Sequence, residues 1–432
     1  MDATLHTPPW TCPFCALLCD RFGVAQAETL TPVGTRCPRA ARALAQFGAA
    51  PSPAKPAVNG QPVDAQTALD TAAQWLARAR QPLFGGMATD VAGARAFYRV
   101  ANACGAIFDH AHGRALTHGL TAMQDRGAFT TTLAEIRNRA DLIVCIGASP
   151  SARYPEFFAR CAVGSEPGNA DEVGPAQRTV VFLGCDADAD RALADRPGVE
   201  TLAIPLRNDL YDTIATLNAL LAGKSLRAGA DPALAALVVR MLAATYTAIV
   251  WIPSDLPGAH ATLLVEGFDR LLKALNRARR AGGLALGGDD GGASVNQTLT
   301  WLSGLPLRTG VHRSGLEHAP QRYDTARLLA DHGVDALLWV SSFGADLPPP
   351  HTTLPTIVLG HPGLAAICAD REGPTVFVPV STPGIGSPGH LFRADGGVVL
   401  PLTPVYEDTL PTVAAFAAQL GAKLASHKEN AA

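Results

Sequence analysis

Apolar residues along this chain follow two rhythms. Runs that are apolar at nearly every position, such as Leu142-Ile143-Val144-Cys145-Ile146 within 141–147, predict strands covered on both faces, the condition of a parallel sheet. Other stretches repeat apolar residues three or four apart, as a helix packed on a sheet does. Ala65, Leu69, Ala72 and Leu76 share one face of a helix that Asp64 caps and that runs to about residue 80. A strand over 83–86 follows, then a helix from Thr89 to its stop at Gly105, then a strand over 106–109. The alternation continues with strands over 179–185, 200–206 and 248–252 and helices over 209–222, 232–245 and 259–280. Beyond Gly282-Gly283 the pattern predicts helices over 295–302 and 321–332 and strands over 335–341 and 355–360. The stretch 374–404 is rich in Val, Gly and Pro without helical period, and 410–424 closes as a helix. Strands alternating with helices imply βαβ units, so the expected fold class is α/β.

At 432 residues the chain exceeds what one core serves, and two to four domains are expected. Prolines 51, 53 and 56 make 49–56 a stiff linker and put a boundary near residue 55, while 164–177 reads as a polar surface loop. Hydrophobic residues make up 48% and charged ones 17%, so a charge-poor surface suited to partner subunits is expected. Net charge is −3, which gives nucleic acid or an anionic membrane nothing global to attract. The most apolar segment, 233–252, is broken by Arg240 and reads as helix plus strand, not a membrane span. No basic, apolar leader opens the sequence, and the cysteine count is odd; both favour a reducing cytoplasm with thiols or metal ligands over disulfides.

Four of the nine cysteines crowd near the N-terminus. Cys12-Pro13-Phe14-Cys15-Ala16-Leu17-Leu18-Cys19 is followed by Gly34-Thr35-Arg36-Cys37-Pro38, a C-x2-C-x3-C-x17-C spacing. Three thiolates from one tight loop and a fourth from a returning segment can encircle a 4Fe–4S cluster. Zinc competes for Cys12, Cys15, Cys19 and Cys37, although four-cysteine zinc sites usually pair two short knuckles. Four unliganded thiols remain the plain alternative.

Lesser signals carry plain readings beside sharper ones. His110 and His112 form a metal pair or two hydrogen-bonded loop residues. Asp186, Asp188 and Asp190 alternate as in a calcium loop but lack its glycine and closing glutamate, which favours a solvated turn. Gly287-Gly288-Asp289-Asp290-Gly291-Gly292 lacks the spacing of a phosphate cradle. Arg270, Lys273, Arg277 and Arg280 fall on one helical stripe, either a solvated face or a dock for an anion.

The cysteine run followed by two α/β regions resembles the molybdopterin- and tungstopterin-dependent oxidoreductases of the formate dehydrogenase/DMSO reductase superfamily, and more narrowly the B subunits of formylmethanofuran dehydrogenase. The stretches that carry the resemblance are 12–20, 109–124, 140–160 with Gly147-Ala148-Ser149-Pro150, 296–313, 333–348 and 381–397, in the family's order. The resemblance implies domains I to III of that fold without its C-terminal β-barrel domain. It also implies a discontinuous arrangement: a four-cysteine module, 1–55, joined by 374–432; a first α/β domain, 56–163 with 288–373; and an inserted one, 164–287.

Departures from the family matter as much. Where the family carries the cysteine that ligates tungsten or molybdenum, this chain reads Leu116-Thr117-His118-Gly119. A threonine hydroxyl offers no soft thiolate, so no tungsten or molybdenum pterin is expected. Thr117, His118 and Arg313, the last matching a family active-site arginine, are then vestigial site candidates. An iron–sulfur-type module on such a fold resembles the plan of the formyltransferase/hydrolase complexes of methylotrophic bacteria. That resemblance implies partners, namely a hydrolase, a formyltransferase and a third dehydrogenase-type subunit, and a polyglutamylated methanofuran-type carrier whose tail the stripe Arg270, Lys273, Arg277 and Arg280 would dock. This chain's expected role is to scaffold formyl transfer and formate release, the rivals being a live tungsten or molybdenum dehydrogenase subunit and a zinc-binding interaction protein.

Overall fold

The structure, a computed structural model, describes residues 10–48, 54–164, 174–186, 193, 195–225, 231–258 and 260–427, with the backbone alone of 4–6 and 428–429. Most of the 49–56 linker, much of the 164–177 loop, and Asp188 and Asp190 lie outside the described residues. The chain divides into two compact units, Met1–Arg114 with Gly288–Ala432, and Ala115–Gly287.

In the first unit the apolar runs become a parallel core. Pro82–Ala88, Ala336–Ser341, Thr356–Gly360 and Thr375–Pro379 are buried along their whole length and pair in parallel, with Ile107–Phe108 on the far side of Pro82–Ala88. Two antiparallel hairpins extend this core to nine strands. Thr309–His312 with Gly315–His318 adds beyond Ile107–Phe108, and Ala57–Val58 with Gln61–Pro62 beyond Thr375–Pro379. Helix Val413–Glu429 packs on both Ala65–Arg78 and Val91–Cys104. Each of the latter two starts where an aspartate satisfies a free backbone N–H: Asp64 accepts from Thr67 at 2.8 Å and Asp90 from Gly93 at 2.9 Å. Gly105, at φ 78, stops Val91–Cys104. Residues 321–332 hold a shorter helix than their pattern suggests, Thr325–Ala330.

The cysteine region belongs to this same unit. It comprises a three-stranded antiparallel sheet, Thr4–His6, Gly23–Gln26 and Leu30–Val33, and the helix Pro38–Leu44. Residues beyond 380 fasten it: Ala394 N–H donates to the Ala16 carbonyl at 2.8 Å, and the fully buried Trp10 donates its indole N–H to Gly384 at 2.9 Å. Thr375–Pro379, however, is a strand of the nine-stranded sheet rather than part of the cysteine module.

The second unit holds an all-parallel sheet in the order Val199–Ile204, Arg178–Leu183, Leu142–Ile146, Tyr246–Trp251, Arg280–Ala285. Leu142–Ile146 is its central strand, paired on both sides within this sheet. The compact unit that contains this sheet spans Ala115–Gly287, where an inserted domain over 164–287 is expected from the sequence. Fully buried side chains such as Val144, Ile249 and Phe268 each contribute about 1.5–3 kcal/mol of apolar burial.

The helix expected over 259–280 ends early, as Ala261–Leu275, and Arg280 opens a strand. The Asn276 side chain turns the chain there by donating to the carbonyls of Leu272 and Ala281 and accepting the Ala281 N–H. Gly282 lies in that strand because a Cβ would meet Thr131 at 2.6 Å. Arg270, Lys273, Arg277 and Arg280 consequently form no single stripe: two are helical, one lies in the turn and one on the strand, all exposed. Among the described residues no helix is long and apolar enough to cross a membrane.

Candidate functional site

The four clustered cysteines are gathered by two tight backbone reversals. Cys12 N–H donates to the Cys19 carbonyl at 2.8 Å and Leu18 N–H to Cys15 at 3.1 Å, a return that places Leu18 at φ 46, in the left-handed region. Cys37 N–H donates to the Thr35 hydroxyl at 3.1 Å, and Pro38 opens the helix that follows. All four thiols are buried. Burial pushes the Cys12 and Cys15 thiols well above the ordinary range; Cys19 and Cys37 add repulsion at Cys12, and Cys12, Cys19 and Asp289 add it at Cys15. Without a cation to hold, Cys12 and Cys15 stay protonated. Among the described residues no group of three or more His, Cys, Asp or Glu side chains is arranged to hold a metal ion.

The loop Gly288–Gly292 ties this module to the sheet. Asp289 accepts the Ala16 N–H at 2.8 Å and pairs with Arg39 at 3.0 Å, while Arg39 also donates to the Phe14 carbonyl at 2.8 Å. Asp290 takes the other side: its carboxylate meets His112 Nε2 at 2.9 Å and its carbonyl meets His110 Nε2 at 3.2 Å. His112 N–H donates to His110 Nδ1 at 3.0 Å, so the neutral His110 carries its proton on Nε2 and donates to the Asp290 carbonyl. Burial holds His110 neutral, pulling it down to about 4. The hydrogen bond to Asp290 raises His112. Burial works against ionising Asp290, but the His112 contact prevails and keeps its carboxyl below the usual range. Gly291, at φ 75, packs so close to Thr89 that a Cβ would lie 2.0 Å from its carbonyl oxygen. This is where strand order in the nine-stranded sheet reverses, between Pro82–Ala88 and Ala336–Ser341, the usual ligand crevice of such sheets. The chain's own acidic loop packs into it, and two carboxylates there oppose a phosphate.

A cavity of about 420 Å³ opens beside the carboxyl ends of Thr356–Gly360 and Thr375–Pro379. His361, Thr382, Tyr406, Asp408, Gln46 and Phe47 line it. His361 accepts the Gly363 N–H on Nδ1 at 3.0 Å and stands edge-on to Phe47, with ring centroids 4.8 Å apart. Burial lowers His361 to about 4, lifts Tyr406 to about 12 and raises Asp408, each toward its uncharged form. Such a cavity suits a polar, uncharged group. These residues come from four separate segments, and no local sequence pattern announces them.

The remaining candidates are dispersed. Thr117 and His118 ride on the helix Gly113–Arg126; Thr117 is buried, and His118 Nδ1 stands 3.4 Å from the Thr262 hydroxyl within the second unit. Arg313 belongs to the first unit, exposed in the two-residue turn between Thr309–His312 and Gly315–His318. The arginine of the first unit that is buried is Arg308, whose guanidinium meets Asp109 at 3.2 Å, Asp324 at 2.6 Å and the Pro320 carbonyl at 2.7 Å, among the described residues. Asp109 also accepts the backbone N–H and hydroxyl of Thr325, both at 2.8 Å. That network braces the sheet edge.

No family model matches the chain. It is 30% identical to the B subunit of the formyltransferase/hydrolase complex Fhc of Methylorubrum extorquens over 347 residues, 79% of this chain and 89% of the relative. It is 26% identical over 410 residues to the B subunit of the tungsten-containing formylmethanofuran dehydrogenase 2 of Methanocaldococcus jannaschii, spanning 89% of this chain and 90% of the relative. Its fold matches a chain of the crystal structure of FhcABCD from Methylorubrum extorquens in complex with methylofuran, at a TM-score of 0.73 and 27% identity, over 87% of this chain and 99% of that one.

Proposed function

Since the chain belongs to the family formed by the B subunits of the formyltransferase/hydrolase complex and of formylmethanofuran dehydrogenase, we propose that it is a non-redox organising subunit of a formyl-transfer complex. In this reading the complex moves a formyl group from tetrahydromethanopterin to a methanofuran-type carrier and releases formate by hydrolysis on another subunit. Its partners are a hydrolase, a formyltransferase and a third dehydrogenase-type subunit.

The observation that carries the reading is Thr117. It occupies the position where the redox members of the family, by resemblance, hold a metal-ligating thiolate. A hydroxyl on an uncharged, buried threonine keeps its proton near neutral pH and is a hard donor, so the residues present do not fit a tungsten or molybdenum pterin. Hydrolysis needs an activated water and no electron carrier, and such a complex loses nothing by the change.

Cys12, Cys15, Cys19 and Cys37 would hold a 4Fe–4S cluster, with zinc as the rival occupant. Each iron of a cubane takes one cysteine, and the C-x2-C-x3-C-x17-C spacing supplies four. When bound, the cluster supplies four iron–sulfur bonds that cross-link the Cys12–Cys19 loop to Cys37. Asp289 and Arg39 orient that loop from behind.

Elemental analysis and pterin extraction of the purified complex test the reading. The expected result is co-purification with three distinct subunits, formate release, and neither tungsten nor molybdenum at stoichiometric level. Either metal at one per chain, with extractable pterin, would overturn it in favour of a live dehydrogenase.

A further inference from the structure

A groove of about 940 Å³ in the first unit lies away from the cysteines, at the carboxyl ends of helices Ala65–Arg78 and Val91–Cys104. Arg78, Arg80, Arg313, His312 and His427 line it together with the amide of Gln74. Among the described lining residues there is no aspartate or glutamate. We propose that this groove binds a small polyanion, a ligand bearing two or more carboxylate or phosphate groups.

The charge balance supports this. Each helix end contributes only about half a negative charge, against three guanidiniums that are always protonated. Among the described residues, Arg78 and Arg313 make no ion pair. Arg80 has one long contact, 3.9 Å to Asp335, and its side chain is 96% exposed. Asp335 itself is taken up by the backbone N–H groups of Arg80 and Gln81, at 2.8 and 2.9 Å. A nearby carboxylate, Asp70, is neutralised by Lys423 at 2.7 Å.

The positions are also held. Arg313 stands in a two-residue hairpin turn, where His312 pairs with Gly315, and Arg78 closes the last turn of its helix. Guanidiniums on firm backbone recognise carboxylate or phosphate by paired N–H donors at small entropic cost. A volume near the upper range of ligand sites, about 300–1,000 Å³, exceeds what one oxyanion fills, which favours a ligand with several anionic groups. The exposed basic residues Arg270, Lys273, Arg277 and Arg280 lack such a groove.

Binding of tetraglutamate, tripolyphosphate and inorganic phosphate to the full chain, measured by calorimetry at low salt and again at about 0.3 M salt, tests the site. Tetraglutamate or tripolyphosphate should bind at least tenfold tighter than inorganic phosphate and weaken in salt; the preferred probe identifies the carboxylate or phosphate class. Arg78→Ala and Arg313→Ala should each loosen it about tenfold to a hundredfold, the size of one charged hydrogen bond, with the exposed Lys224→Ala as an unaffected control. Equal weak binding of all three probes, or arginine variants that bind as the parent does, would refute the proposal.

Discussion

Asp289 and Arg39 close an ion pair at 3.0 Å behind the cysteine loop, and the same carboxylate receives the Ala16 N–H. One side chain from the loop at the crossing of the nine-stranded sheet thus holds both the backbone and the nearest cation of the thiol pocket. Asp289→Ala removes a partly buried, charge-assisted contact and should cost about 1.5–3 kcal/mol. Urea denaturation of the variant, with Lys273→Ala as a surface control, measures it; a loss no larger than the control's would mean that the loop is held elsewhere.

Buried histidines set an acid limit. His110 and His361 are pulled from 6.5 to about 4 by burial, so the unfolded chain takes up their protons first and stability falls as pH drops from about 6.5 to about 4. Each shift corresponds to roughly 3 kcal/mol at full extent. His112 has the opposite sign: raised by Asp290, its contribution is complete below 6.5 and is lost as pH rises through its folded value. Asp290, held low, contributes above the carboxylate range, and that contribution is lost as pH falls through its folded value. Hydrogen exchange of Thr356–Gly360 should accelerate between pH 6.5 and 4.5 relative to its intrinsic rate, and His361→Gln should flatten that dependence. An unchanged slope in the variant would exclude His361 as a source.

Arg308 and Arg313 should behave as opposites. Arg308→Ala leaves Asp109 buried without its cation and should cost about 3–5 kcal/mol, while Arg313→Ala, on an exposed turn, should change stability by about 0.5 kcal/mol or less. Chemical denaturation of the two variants side by side decides it. Equal effects would contradict the buried network.

Anaerobic purification should yield about four iron and four sulfide per chain, with loss of both in Cys37→Ala. Four alkylatable thiols and no iron in the denatured parent protein would remove the cluster from the assignment.

Periodic signals in the sequence are legible wherever local chemistry decides structure. Asp64 caps its helix, Gly105 ends another, and Leu142–Ile146 is a buried strand. Which sheet that strand joins is a matter of pairing, and an all-apolar run fits the middle of either one. The helix end at Leu275 is hidden because Arg277, Ala278, Arg279 and Arg280 suit a helix, while the Asn276 bonds that stop it depend on Ala281 in the next strand. In the site, cysteine spacing is plain, whereas Asp289 and Asp290 look like an ordinary glycine-rich turn. Their roles exist only once Ala16, Arg39 and His112 arrive from elsewhere in the chain.

Trp10 and Ala16 are bonded to Gly384 and Ala394. A ribosome delivers the cysteines early and their clasp hundreds of residues later, after the unbroken segment Ala115–Gly287 has supplied every strand of its own sheet. During synthesis the thiol pocket is therefore an open loop waiting for its lock. Until residues 384–394 are made, the contacts that Trp10 and Ala16 have with them in the finished fold cannot form.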